Sequence, residues 1–220
     1  MIQSIVFDLD NTLYDARQYF SGAFKDVARY ISLHQGLPRR KTWEVLMETW
    51  TRRTSAYPYL FDDALATLGV KCDRKELVSL FNKYSGGIAP YQDTVPTLRA
   101  LRKRGVGLGI LTEGNAIRQR RKVRVLGLRD FFDAVIVVER GGSKSSPRPF
   151  LKAIGALARR PNESLYVADN PLLDFRGAKA AGMRTVRFLR GEFSHMPKNE
   201  DIDLEIRSLK QLLTIQRLHA

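Results

Sequence analysis

Asp8 and Asp10 stand two residues apart, directly behind the apolar run Ile5-Val6-Phe7. Two carboxylates that close repel each other unless something cationic lies between them. A hard cation with oxygen ligands resolves the repulsion, and Mg2+ is the expected one. Further along, Thr112 with Glu113 and Gly114 ends a second apolar run, Lys144 lies in the loop after a third, and Asp169 and Asp174 follow a fourth. Singly, each has an ordinary explanation. An Asp behind a strand caps a helix or forms a turn, and a lone lysine or threonine is routine at a surface. Together they place four acids, one hydroxyl and one lysine at successive strand ends. In an open parallel sheet, ligands bind beyond those ends.

The elements that must position these residues are visible in the pattern. Ile5-Val6-Phe7 reads as a buried strand opening into the polar loop Asp8-Leu9-Asp10-Asn11-Thr12. From about Ala16 to Leu80 helical spacing dominates, with Phe20, Phe24, Val27 and Ile31 on one stripe and Trp43, Leu46, Met47 and Trp50 on another. Breaks fall at Leu37-Pro38-Arg39-Arg40, Tyr57-Pro58 and Gly69-Val70-Lys71. After Ser85-Gly86-Gly87 and Pro90 the elements alternate. The pattern predicts helix 94–103, strand 106–111, helix 116–126, strand 134–138, helix 150–157, strand 165–167, helix 172–181 and strand 185–189. Such alternation predicts an α/β fold with a doubly wound, mainly parallel sheet. The first strand is separated from the rest, so the expected architecture is a discontinuous core, 1–15 and 88–220, with an inserted all-helical cap domain, 16–87.

Bulk properties narrow the setting. Lys and Arg number 37 against 23 Asp and Glu, a formal charge of +14 that attracts anionic substrates. The local concentration Arg118, Arg120, Arg121, Lys122 and Arg124 points around most of its helix, and reads as a solvated face rather than a nucleic-acid patch. The single cysteine, Cys72, excludes an internal disulfide and a thiolate cluster, which fits a cytoplasmic setting. The opening MIQSIVFDLDNTLYD has no basic flank and does not read as a signal peptide. No apolar run approaches the roughly 20 residues that span a bilayer. Trp43, Trp50 and the cluster Tyr57-Pro58-Tyr59-Leu60-Phe61 are assigned to helix packing or a dimer contact, and His34, His195 and His219 receive no role. The chain is expected to be a monomer or homodimer.

The residues at the strand ends resemble the four motifs of the haloacid dehalogenase-like (HAD) hydrolase superfamily. The motifs stand here as Asp8-Leu9-Asp10-Asn11-Thr12, Ile110-Leu111-Thr112-Glu113-Gly114, Lys144-Ser145-Ser146-Pro147, and Val167-Ala168-Asp169 running on to Asp174. The resemblance implies a phosphatase in which Asp8 attacks phosphorus and Asp10 serves as acid and base. It implies Mg2+ held by Asp8, the Asp10 backbone carbonyl and Asp169, with Asp174 as a further ligand or support. Thr112 and the backbone N–H groups of Glu113 and Gly114 would bind phosphate oxygens, and Lys144 would offset charge. Three positions depart from the commonest pattern: Ala168 for Gly, Glu113 for Asn, and Ser145-Ser146 for Pro-Asp. A small phosphorylated metabolite is the implied partner. The competing readings are a phosphomutase, a 2-haloacid dehalogenase, which usually lacks the second Asp, and a non-catalytic binding protein.

Overall fold

Apolar runs become strands wherever both faces are covered. The computed structural model describes residues 2–55, 57–139 and 142–215, so His219 lies outside the described residues. Its strands are β1 (Ser4–Phe7), β2 (Gly107–Glu113), β3 (Ala134–Val138), β4 (Ser164–Ala168), β5 (Arg184–Phe188) and β6 (Leu204–Ile206). They form one sheet in the order β3-β2-β1-β4-β5-β6, and every pair is parallel. All residues of β1 and β4 are buried, which is why these strands read as continuous apolar runs rather than alternating ones.

The helices are α1 (Arg17–Gln35), α2 (Arg39–Arg53), α3 (Leu60–Leu68), α4 (Arg74–Lys83), α5 (Thr94–Lys103), α6 (Ala116–Val125), α7 (Arg148–Ala156), α8 (Phe175–Ala180) and α9 (Leu212–Ile215). The chain divides into two compact units, Met1–Ala16 with Ile88–Ala220, and Arg17–Gly87. The second unit is helical and closes on its own aromatic core. Phe20 stacks on Trp50 at 4.8 Å, and Phe24 meets Phe61 at 6.2 Å and Phe81 at 5.7 Å. The Trp43 indole N–H donates to the Ser21 carbonyl at 3.1 Å, joining α2 to α1. Of the Tyr57–Phe61 cluster, Leu60 and Phe61 are buried and Tyr59 is exposed.

Within the first unit, α7 and α8 contribute Phe150, Ile154 and Phe175 to a core shared with Val6, Leu111 and Tyr166 of the sheet. The chain leaves β1 for β2 and β3 on one side, then places β4 on the other. The order therefore reverses between β1 and β4, and a crevice opens at their carboxyl ends.

Several elements differ from the sequence pattern, among them β2, α8 and β6. Strand β2 continues through Glu113, because Thr112 and Glu113 pair with Val137 and Val138 of β3. Helix α8 starts at Phe175 rather than Leu172. The Asn170 side chain accepts the Leu172 N–H at 2.9 Å, an Asx-type turn that delays the helix and leaves Asp174 at the N-cap position. Strand β6 was not expected; its three residues are too few, and too exposed, to carry a period-two signal.

Candidate active site

Asp8 follows β1 and Asp169 follows β4, so the strand register sets them side by side: Phe7 is opposite Val167, and the Asp8 N–H donates to the Val167 carbonyl at 2.8 Å. Asp174 reaches the same place from the turn before α8. Asp8, Asp169 and Asp174 are buried, with one carboxylate oxygen from each within 4.8 Å of the others. Lys144 is buried among them, paired with Asp8 and, at 2.8 Å, with Asp174. The Tyr166 hydroxyl and the Asn170 N–H also donate to Asp174, at 3.3 and 3.2 Å.

One lysine does not balance three acids. Burial, with Asp174, Asp8 and Glu192 nearby, holds the Asp169 carboxyl well above the usual range. Burial likewise pushes Asp8 up to about 7, with Asp174 and Asp10 adding to the rise and Lys144 opposing it. Among the described residues, Asp169 Oδ2 is buried without a hydrogen-bond partner. Three converging carboxylates, a surplus of negative charge and an idle acceptor oxygen fit a hard divalent cation.

A pH signature follows. Because the folded pKa of Asp8 and Asp169 lies above the unfolded value, the folded chain binds more protons between roughly pH 4 and 7, and stability falls as pH rises through that window. The metal-free protein is expected to melt at a lower temperature at pH 7.5 than at pH 5, with Mg2+ narrowing the gap. Melting curves at both pH values, with and without Mg2+, check this.

Gly177 aims Lys144. A Cβ on Gly177 would collide with the Lys144 carbonyl and lie 2.6 Å from the Ser146 carbonyl, so only glycine lets this loop lie flat on α8. Close packing replaces the stiffness that Ser145-Ser146 lack. Gly177→Ala is expected to cost about 1–3 kcal/mol of stability through overpacking, and to reduce turnover more than substrate affinity; denaturant unfolding and steady-state kinetics test the two halves.

Asp10 stands outside the acidic trio. Its carboxylate accepts from Lys122 Nζ at 2.7 Å, from the Gln119 amide at 2.9 Å and from the Tyr14 hydroxyl. Burial alone would raise its pKa, but Lys122, Gln119 and Tyr14 outweigh that and bring it down to about 2. Burial, and Arg118 alongside, bring Lys122 down to about 8 against the pull of Asp10.

The basic run on α6 is thus not one solvated face. Arg120 and Arg124 are exposed, whereas Lys122 is buried at 3% and Gln119 at 0%. The missed signal was spacing: 119, 122, 123 and 126 follow i, i+3, i+4, i+7, the inward stripe of a helix, and two of the four are polar.

Thr112, at the end of β2, is buried, and its oxygen accepts from the Gln119 amide at 2.7 Å. The Glu113 side chain is exposed, and its carbonyl also faces the Gln119 amide, at 3.1 Å. The Gly114 N–H, expected at a phosphate oxygen, is spent on the Val138 carbonyl at 2.9 Å, because the β2–β3 ladder runs further than the sequence implied.

A haloacid dehalogenase-like hydrolase family model matches residues 2–182. A glyceraldehyde 3-phosphate phosphatase from Methanopyrus kandleri is 34% identical over 228 residues, covering 99% of this chain and 98% of the relative. Among solved structures, a HAD phosphatase from Thermococcus onnurineus is 27% identical with a TM-score of 0.69, covering 98% of each chain. A 2-haloacid dehalogenase from Pseudomonas syringae is 28% identical with a TM-score of 0.66, also covering 98% of each. With its crevice at the reversal of a parallel sheet and its acids at the ends of β1 and β4, the chain belongs to the haloacid dehalogenase-like hydrolase family.

Proposed function

We propose that the chain is an Mg2+-dependent phosphatase acting on small phosphate monoesters through an aspartyl-phosphate on Asp8. The observation that carries this reading is Asp10, a second carboxylate held by three donors beside the trio. An alkoxide leaving group needs a proton, whereas a halide does not.

Asp8 attacks phosphorus as the ester P–O bond breaks; Asp10, ionised in the free chain, takes up a proton from solvent as the ester binds and gives it to the departing oxygen. Asp10 then takes a proton from the water that attacks the aspartyl-phosphate, releasing inorganic phosphate and restoring the Asp8 carboxylate. Thr112 donates to a phosphate oxygen, and Lys144 offsets the charge shared by phosphate and nucleophile. Asp8, Asp169 and the Asp10 carbonyl would hold Mg2+, with Asp174 as ligand or support; bound there, the ion supplies charge stabilisation at the phosphate and keeps the acids ionised.

The Methanopyrus kandleri relative makes glyceraldehyde 3-phosphate the first ester to test. A cytoplasmic setting is proposed with it; among the described residues no helix is long and apolar enough to cross a membrane.

The test is a panel of phosphate monoesters, including an activated aryl phosphate, with and without Mg2+. Release of phosphate only with Mg2+ is expected. Silence on every ester would sink the reading, and metal-independent turnover would remove the role given to Asp169.

A further inference from the structure

Both oxygens of the Asp10 carboxylate are held, and two of the three donors come from one face of α6. The Gln119 amide can have only one orientation there, because the Glu113 carbonyl that it also faces accepts and never donates. Its two N–H bonds face three acceptors: Asp10 Oδ2 at 2.9 Å, Thr112 Oγ1 at 2.7 Å and the Glu113 carbonyl at 3.1 Å. With its oxygen accepting from Gln119, the Thr112 hydroxyl keeps its own hydrogen for a phosphate oxygen.

The helix that presents these groups is well fixed. Asn115 caps it through the Arg118 N–H at 3.0 Å, and Val123 and Leu126 are buried on the same stripe. A buried lysine is a poor stabilising device, since an apolar side chain of similar volume often serves equally well. Its presence at Asp10 therefore asks for another purpose.

We propose that Gln119 and Lys122 are positioning residues that lock the Asp10 carboxylate and the Thr112 hydroxyl into one geometry, so that the inward face of α6 sets both leaving-group protonation and phosphate anchoring. The proposal rests on the phosphatase reading above. Lys122 fixes where the proton carrier stands. Gln119 ties that carrier to the anchor of the phosphate, so the two cannot drift independently.

The experiment compares wild type with Lys122→Met and Gln119→Met on two esters: glycerol 3-phosphate, whose alkoxide needs a proton, and p-nitrophenyl phosphate, whose phenolate leaves without one. In Lys122→Met, kcat/KM on the alkyl ester, which reports the step in which the leaving group departs, is expected to fall about 10- to 100-fold, part of what a full general acid contributes, while kcat/KM on the aryl ester changes far less. In Gln119→Met the same selective loss is expected, together with a raised KM for both esters. Lys122→Arg should recover part of the alkyl activity.

Melting temperatures of the variants establish that they fold. Equal losses of kcat/KM on both esters, or no loss on either, in folded Lys122→Met would overturn the proposal. So would a crystal structure of Lys122→Met with the Asp10 carboxylate unmoved, whatever the activity. Wild type inert on both esters would instead sink the phosphatase reading, and that crystal structure would still decide the positioning claim.

Discussion

Asp8→Asn is expected to leave the fold in place and to lower phosphate release by at least about 10⁴-fold, the scale on which removing a covalent nucleophile acts. Asparagine is isosteric, and its oxygen still accepts from Lys144. What it lacks is the negative oxygen that the proposed mechanism uses to attack phosphorus. The same change relieves repulsion: Asp8 is buried within reach of Asp169 and Asp174, and among the described residues Lys144 is the cation paired with Asp8 and Asp174. The metal-free variant should therefore melt above metal-free wild type at pH 7.5. Loss of activity with a gain in stability separates the nucleophile from a residue that merely holds the site together. A variant within tenfold of wild type would remove Asp8 from the chemistry.

The second large effect concerns the metal. For wild type, Mg2+ at about 100 times its dissociation constant should add about 2.7 kcal/mol of stability, or roughly 5–10 °C in melting temperature for a chain of this size. Asp169→Asn removes the acid whose Oδ2 has no partner among the described residues. Its Mg2+-dependent shift should shrink to below about 2 °C, while its metal-free melting temperature rises because a buried charge has gone. Calorimetry in a Mg2+ titration reads both quantities without any turnover. An undiminished shift would remove Asp169 from the metal site.

The acidic trio was legible because it depends on strand ends, and strands buried on both faces announce themselves as unbroken apolar runs. Ile5-Val6-Phe7 and Leu165-Tyr166-Val167 are of that kind, and their register brings Asp8 beside Asp169. What depends on a single hydrogen bond was not legible. The delayed start of α8 turns on the Asn170 side chain, and the diversion of the Gly114 N–H turns on one added rung of the β2–β3 ladder. Lys122 was hidden by its neighbours. In a run of arginines, an inward-facing lysine has no compositional mark, and only its spacing with Gln119, Val123 and Leu126 separates it. Tyr14 was hidden for a different reason, since it meets Asp10 from an irregular loop where no periodicity operates.

The parallel sheet also governs how the chain can fold. β1 is made before its partners β2 and β4, with Ser4 opposite Gly107 and Ser164. Such remote pairings carry a large loop-closure cost and slow folding, whereas helical contacts are local and form early. On the ribosome, the Arg17–Gly87 unit has its own aromatic core and can settle while β1 still waits. Until β4 emerges, the central strand has one side unpaired, and its apolar run is the segment most exposed to aggregation. Asp8, the proposed nucleophile at the end of β1, is therefore synthesised before both strands that flank β1 and reaches its working position only when the later one has paired.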